Sequence, residues 1–183
     1  MFIKMKTKKI ILFIFCTLCS LIEAKAQTHY YNETKTFYED GYTYQCDKAS
    51  WGIVTLYNKT NQYTYAKYEN KDDSPINDLE SLFPLIEPDN WTRQKCLSIV
   101  NNAFAGNPRI KGAKFDISMT IDTSTGKVIE VDFRLFYNTP MAIMPVSAYR
   151  YLELALKNQI WFTITESGKR LKFIQRGWMH EIE

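Results

Sequence analysis

The chain has 183 residues, of which 45% are hydrophobic, 15% aromatic and 23% charged, and its formal net charge is +3. This composition excludes an intrinsically disordered chain, a collagen-like repeat and a polytopic membrane protein. The first 26 residues carry five Lys and one Glu, which leaves 18 basic and 19 acidic side chains in the remaining 157 residues. This balance excludes the basic face of a nucleic-acid-binding protein.

The N-terminal residues have the pattern of a secretory signal. Four lysines precede the apolar run of residues 10–22, which is followed by Ala24-Lys25-Ala26. A spanning helix needs roughly 20 apolar residues, so this run is too short for one. We therefore predict a signal peptide over residues 1–26 and an exported protein, in the periplasm or on the outer cell surface, with no membrane span after cleavage. An uncleaved anchor is the alternative.

The next part of the chain, residues 27–87, is rich in tyrosine. Nine of the twelve tyrosines lie between residues 30 and 68, interrupted by turn-forming residues at 39–41 and 58–61. Aromatic and β-branched residues favour strands, so we predict a meander of three or four strands. Residues 53–57 and 62–68 are expected to form one hairpin of it. The polar connector that follows contains Pro84 and Pro88 and marks a boundary.

Residues 88–183 alternate between helical and strand patterns. Asp89 or Asn90 can cap a helix, whose apolar stripe consists of Cys96, Ile99, Val100, Ala103 and Phe104. In residues 115–121 apolar side chains alternate with Asp116, Ser118 and Thr120, and a turn at Gly126 leads to a matching strand that contains Asp132. This pattern predicts an antiparallel pair with one buried and one solvated face. If Ile117 points to the buried face and Ser118 to the solvated face, Ile117→Asp should unfold this part of the chain and Ser118→Asp should be tolerated.

A second helix and a final strand complete the predicted fold. The helix follows Pro145, with a stripe of Ala148, Tyr151, Leu152, Ala155 and Leu156, and with Glu153 on its outer side, four residues before Lys157. Trp161-Phe162 is expected to fill the core, and residues 169–181 to form the last strand. The predicted class is α+β: an antiparallel sheet (hairpin, helix, strand) with two helices on one face, preceded by the meander.

The hairpin motif carries a resemblance to known families. Residues Ile121-Asp122, Gly126 and 128–131, followed by the helix and the closing strand, resemble the C-terminal domain of TonB-type proteins. Members of that family also carry a long proline-rich spacer, which this sequence lacks, so the resemblance implies the fold of residues 88–183 and no energy transduction. The whole layout is also similar to exported proteins of unknown function in Bacteroidetes-type bacteria.

The cysteines allow two interpretations. Cys16 and Cys19 lie in the predicted signal peptide, which leaves Cys46 and Cys96. An exported protein can oxidise them, and a Cys46–Cys96 bond would contribute about 4 kcal/mol. Cys96 also lies on the helical stripe, where a free cysteine behaves as a small buried hydrophobe. The spacing of cysteines and histidines predicts no metal site.

The sequence offers no catalytic constellation. There is no Gly-x-Ser-x-Gly motif and no glycine-rich phosphate loop, and His29 and His180 are expected to be solvated residues near the termini. Asp116 and Asp132 are expected on the solvated sheet face, where little would raise a carboxyl pKa. We therefore predict a protein that is not an enzyme and holds no cofactor, with a small hydrolase as the alternative.

Two aromatic or apolar features could bind a partner. Tyrosine rings stack well on sugars and peptides, which makes ligand-stacking candidates of five residues: Tyr42, Tyr44, Tyr63, Tyr65 and Tyr68. Met141, Ile143 and Met144 could contact a partner, although burial beneath the second helix is the preferred interpretation. The predicted function is an interaction module of the cell envelope that binds an envelope protein or peptide, for example by strand addition. The alternative is a glycan- or cell-wall-binding protein that uses its tyrosines.

Overall fold

The computed structural model describes residues 30–39 and 41–183, so the predicted signal peptide and His29 lie outside the described residues. Within them the chain forms six strands: β1 (Lys35–Glu39), β2 (Tyr42–Lys48), β3 (Ile53–Asn58), β4 (Lys114–Asp122), β5 (Val128–Phe136) and β6 (Phe173–Glu181). The helices are α1 (Asn90–Phe104), α2 (Val146–Gln159) and the short α3 (Glu166–Lys169), and three 3-10 turns connect them (Glu80–Leu82, Pro108–Ile110 and Pro140–Ile143).

All six strands belong to one antiparallel sheet with the order β1-β2-β3-β5-β4-β6. The predicted α+β class is confirmed. The meander joins the C-terminal strands directly, because β3 pairs with β5 from Ile53↔Phe136 to Tyr57↔Asp132. The hairpin turn between β4 and β5 has Gly126 at φ 73°, a conformation that favours glycine, and a Cβ there would collide with the carbonyl of Phe162.

Helices α1 and α2 cover one face of the sheet. The side chains of β4 and β5 that point to them, such as Ile117 and Phe133, are fully buried. Asp89 caps α1 by accepting a hydrogen bond from the backbone N–H of Trp91 at 2.8 Å. The buried stripe of α1 is the predicted one except for Ala103, which is partly buried.

The face that α2 buries is rotated from the predicted one. Tyr149 is fully buried, whereas Tyr151 is 64% exposed. Glu153, which was expected on the outer side, is fully buried and accepts hydrogen bonds from Tyr44 and Arg150. A buried carboxylate of this kind is tolerated because charged and hydroxyl groups donate hydrogen bonds to it. The apolar periodicity of the helix sequence could not predict its burial, because it does not show where these donors lie.

Residues 59–70, which we call the crossing segment, contradict the predicted hairpin. They form no strand and instead run over the sheet face opposite the helices. The carboxylate of Glu130 accepts the backbone N–H groups of Gln62 at 2.6 Å and Tyr63 at 2.9 Å. These bonds replace the ladder that residues 62–68 would have formed with β3.

The crossing segment also buries more of the sheet face opposite the helices than the sequence predicted. Thr120, Glu130 and Asp132 are all at least 92% buried, since their exposures are 1%, 8% and 2%. The expectation of a fully solvated face was therefore wrong for the half of the sheet beneath the segment. Asp116, beyond its reach, is exposed as predicted, and Arg134 beside it is exposed as well.

Helices α1 to α3 are too short or too polar to cross a bilayer, and no other helix among residues 30–39 and 41–183 is long and apolar enough to do so.

Candidate functional site

The outer edge of β6, one of the two edge strands of the sheet, carries unpaired backbone hydrogen-bonding groups. The hydroxyl of Tyr68 accepts from the backbone N–H of Gln175 at 3.0 Å and donates to its C=O at 3.2 Å, so the backbone of Gln175 points away from β4. Backbone direction alternates along an antiparallel strand. The N–H and C=O groups of Gly177, Met179 and Glu181 therefore also point outward, while Ile182 bonds to Ala113 on the β4 side.

These outward groups have no protein partner among the residues that the structure describes. Gly177, Met179 and Glu181 are all exposed, Met179 to 67%. An unpaired strand edge of this kind can pair with another extended chain. We call the stretch from Gly177 to Glu181 the open edge.

A groove of about 640 Å³ runs beside the open edge on the helix side of the sheet. It lies between β6 and the segment that leads into α1, which is held in place where Glu87 N–H donates to the carbonyl of Thr163 at 2.9 Å. Its apolar lining comes from several elements: Cys96, Leu97, Met119, Phe162 and Trp178.

Four charged side chains line the groove. Arg93 and Arg176 are exposed, and neither forms an ion pair with any described carboxylate. Both carboxylate oxygens of Asp89 already accept hydrogen bonds, from Thr92 and from the N–H of Trp91, and the bond from Thr92 is the main reason that its pKa is lowered. Glu87 supplies the only other negative charge of this lining.

The groove contains a cysteine whose thiol is unreactive. Burial, together with the nearby charge of Asp89, raises the pKa of Cys96 to about 12. The thiolate, which is the nucleophilic form, is therefore scarcely populated at neutral pH. Among the described residues, no three His, Cys, Asp or Glu side chains are arranged to hold a metal ion.

A second hollow, of about 450 Å³, lies on the opposite face of the sheet, over β3, β5 and β4, and reaches the open edge at Met179. Met179 belongs to both linings, and the hollow also contains the apolar side chains of Ile53, Phe136 and Pro140. Phe136 is 51% exposed. Of this lining, only Met179 lies on β6, so an extended chain on the open edge would meet the hollow at that side chain.

The five tyrosines proposed for stacking do not share a surface. Tyr44 is fully buried on the helix face, where it contacts Glu153, and Tyr42 packs edge-on against it at 5.8 Å. These two rings therefore contribute to packing around α2. Because it is fully buried, Tyr44 cannot present its ring to a ligand.

The other three tyrosines lie in the crossing segment, on the opposite face. Tyr63 and Tyr68 pack on the ring of Phe173, with centroids 4.4 Å and 5.6 Å away. Tyr65 is 62% exposed, and its hydroxyl donates to Asp47 at 2.9 Å. Tyr65 is thus the one member of the five with a mostly exposed ring.

Cys46 and Cys96 are both buried and free, so the disulfide that the sequence left open does not occur in the structure. Cys46 lies on β2 and donates to the carbonyl of Glu33, whereas Cys96 lines the groove with Met119 of β4. Two strands separate β2 from β4, a spacing of about 14 Å. Disulfide-bonded Cα atoms lie within about 7 Å.

The Met141–Met144 loop is mainly a packing element, in line with the preferred interpretation. Met141 is fully buried, and Ile143 and Met144 pack partly buried against the core. Their backbone carbonyls also serve the core, because Met141 accepts from Tyr149 and Met144 accepts from Tyr31, both at 2.8 Å. A partner could contact Met141 only if the core opened, whereas Ile143 and Met144 each keep part of their surface exposed.

Two predicted solvent-exposed groups are buried. Burial raises the pKa of Asp132 to about 6, against the opposing effect of Arg134. His180 is 4% exposed, its pKa is lowered by burial, and its Nε2 lies 2.8 Å from Asn101 Oδ1. The expected core position of Trp161 was also wrong: it is 54% exposed and packs on Trp91 at 5.0 Å.

Sequence reasoning did not locate the groove or the open edge. Both depend on β6 being an edge strand and on α1 lying beside it, which are long-range relations. The one local signal was the weak apolar alternation of the last strand, where Arg176, Gly177 and Met179 are exposed. Such a pattern is typical of an edge strand.

Comparison with known proteins identifies the family. A family model of a domain of unknown function, DUF5043, matches residues 27–178. The crystal structure of a DUF5043 family protein from Bacteroides uniformis ATCC 8492 at 1.85 Å resolution is similar to this chain, with 39% identity, a TM-score of 0.77 and coverage of 85% of this chain and 89% of that chain. No curated protein matches. The similarity to Bacteroidetes-type proteins accords with that organism, and the TonB-type resemblance is not confirmed. The chain belongs to the DUF5043 family.

Proposed function

We propose that this protein is an exported, non-enzymatic binding module of the cell envelope that takes up an extended peptide segment of a partner protein as an additional strand. The observation that carries the proposal is the open edge with its outward N–H and C=O groups. In strand addition, main-chain hydrogen bonds provide affinity and pockets on alternate sides provide specificity. The groove lies on one side of the edge, and the exposed side chain of Met179 lies on the other.

The export part of the proposal is supported by the sequence. The family match begins at residue 27, immediately after the predicted cleavage site at Ala26. A family domain that starts at this point is in keeping with the removal of residues 1–26. In the periplasm or on the outer cell surface, the open edge would meet segments of other envelope proteins.

The non-enzymatic part is supported by the chemistry of the groove. Hydrolysis requires an activated nucleophile or a pair of carboxylates with separated pKa values. The thiol of Cys96 has a pKa of about 12, and the carboxylate of Asp89 is engaged in capping α1. The glycan-binding alternative has less support, because of the five proposed tyrosines only Tyr65 presents a mostly exposed ring.

The test is a proline at the open edge. The N–H of Met179 points outward and bonds to nothing in the described protein, so Met179→Pro should keep the fold while removing a donor and obstructing an added strand. Met179→Ala is the matched control, because it removes the side chain and keeps the N–H.

The measurement is peptide binding, with hydrogen exchange as the structural readout. Random extended peptides displayed on phage are selected against the protein expressed from its full sequence. We expect binders that slow the exchange of the Met179 and Glu181 amides, bind Met179→Ala, and fail to bind Met179→Pro. Binders that recognise both variants equally would show that the open edge is not the site.

A further inference from the structure

We infer that the peptide taken up at the open edge is amphipathic along its length, with acidic side chains on the groove side and apolar side chains on the side of the hollow. This inference rests on the proposed function and assigns the chemistry of its ligand. It follows from the charges and contacts that flank the two sides of the same edge.

The geometry of an added strand determines which side chains meet. Because Gly177, Met179 and Glu181 point their backbone outward, they would exchange hydrogen bonds with the added strand, and Arg176 and Trp178 would lie opposite its non-bonded residues. Side chains in such non-bonded pairs approach to about 5 Å. The partner residues on the helix side would therefore lie beside Arg176 and Trp178 in the groove.

The groove favours a carboxylate at that position. Arg93 reaches it from α1 and Arg176 from β6, and neither arginine has an ion-pair partner among the described residues. Of the two acidic groups in the lining, Asp89 already accepts two hydrogen bonds at the helix cap, which leaves Glu87 as the one opposing charge. An acidic side chain can accept hydrogen bonds from a guanidinium in two parallel contacts.

The hollow on the other side favours an apolar residue. Met179 of β6, which would lie directly beside the added strand, is 67% exposed there, and its neighbour on that face, Gly177, has no side chain. The charged groups around them are already balanced: Lys114 pairs with Glu181 at 3.0 Å, and Arg134 lies 3.9 Å from Asp132. The two remaining charges of the lining, Lys111 and Asp116, have opposite signs. A charged partner residue would gain nothing there, whereas an apolar one would cover exposed carbon.

The test uses three synthetic peptides, each an extended nonapeptide in which Val alternates with one test residue: Glu, Gln or Lys. Binding to the protein expressed from its full sequence is measured by calorimetry. We expect the Glu peptide to bind roughly tenfold more tightly than the Gln peptide, and the Lys peptide to bind most weakly. Arg176→Glu should reverse the order of the Glu and Lys peptides. Arg109→Glu, an exposed change of the same charge outside both linings, should keep it.

The outcomes separate this inference from the proposed function. If the three peptides bind equally and all lose binding in Met179→Pro, strand addition stands and the acidic preference is wrong. If none binds at millimolar concentration, the open edge does not accept peptides, and both proposals are wrong. If the Glu peptide is preferred and Arg176→Glu leaves that preference unchanged, the arginines are not its cause and the inference fails.

Discussion

Asp132 of β5 should make the stability of the protein depend on pH in an unusual direction. Its side chain is 3% exposed, and its Oδ1 accepts no hydrogen bond from the described residues. Burial raises its pKa from 3.8 to about 6, although Arg134, whose Nε lies 3.9 Å away, favours the charged form. Most paired carboxylates in folded proteins have lowered pKa values and stabilise the fold at neutral pH. Asp132 should do the opposite.

The sign and the size of this pH dependence of stability follow from proton linkage. Between about pH 4 and pH 6 the folded protein keeps a proton on Asp132 that the unfolded chain has released. The free energy of unfolding should therefore fall as the pH rises through this window. The rise in the pKa of Asp132 from 3.8 to about 6 corresponds to about 3 kcal/mol, which is fully present well below pH 4 and lost above pH 6.

The assay is urea denaturation of the protein and of Asp132→Asn at about pH 4 and about pH 7.5. The Asn variant has no group to titrate at this position, so the difference between the two proteins isolates Asp132 from all other carboxylates. We expect the protein to lose about 2 kcal/mol relative to Asp132→Asn between the two pH values, because at about pH 4 the unfolded chain has already released part of this proton. Asp122→Asn is the matched control: hydrogen bonds from Thr125 lower the pKa of Asp122, so its contribution to stability is lost only below about pH 4, and this variant should keep the pH dependence of the protein between the two assay values. Parallel pH dependence of the protein and Asp132→Asn would refute the reasoning.

Two further predictions concern buried positions and are checked by the same denaturation assay. Glu153→Ala should lower the free energy of unfolding by about 3 kcal/mol, because it leaves buried hydrogen-bond donors without an acceptor. The control Tyr151→Ala, two residues earlier and exposed, should change it by no more than about 0.5 kcal/mol. Equal losses would contradict the observed buried face of α2. Ile117→Asp should cost more than about 4 kcal/mol. Ser118→Asp, which the sequence alone predicted to be tolerated, should destabilise the protein at pH 7.5 and less at pH 4, because Ser118 lies opposite Asp132.

The sequence was sufficient to predict the buried side chains wherever the local spacing of apolar residues matched their burial. The alternation of residues 115–121 predicted which side chains of β4 face the core, and Ile117 and Met119 are buried as expected. The cap at Asp89 and the stripe of α1 were equally local features. In these segments the polar side chains point away from the core, so hydrophobic spacing and position in the fold agree.

Local periodicity failed to predict the structure where buried polar groups form hydrogen bonds with residues far away in the sequence. Tyr63 and Tyr65 alternate with polar residues as in a strand, yet Glu130, 67 residues further along the chain, binds the backbone N–H of Tyr63 and holds the segment across the sheet. The same applies to Glu153, whose partner Tyr44 is 109 residues away. Neither carboxylate could be recognised as buried from its neighbours in the sequence, because its hydrogen-bonding partners are supplied by the tertiary fold.

The crossing segment also explains why the open edge begins where it does. Residues before Gln175 are occupied by the segment itself: Lys172 N–H donates to the carbonyl of Glu69 at 2.9 Å, and Tyr68 uses its hydroxyl to satisfy both backbone groups of Gln175. Along β6, the contacts of the segment end at that hydroxyl, which cannot continue a ladder of backbone hydrogen bonds. An added strand can therefore pair only from Gly177 onward, which restricts it to one length of edge and to the groove beside Arg176. A long unprotected edge would recruit any extended chain, whereas a short edge with a lined groove beside it can select among them.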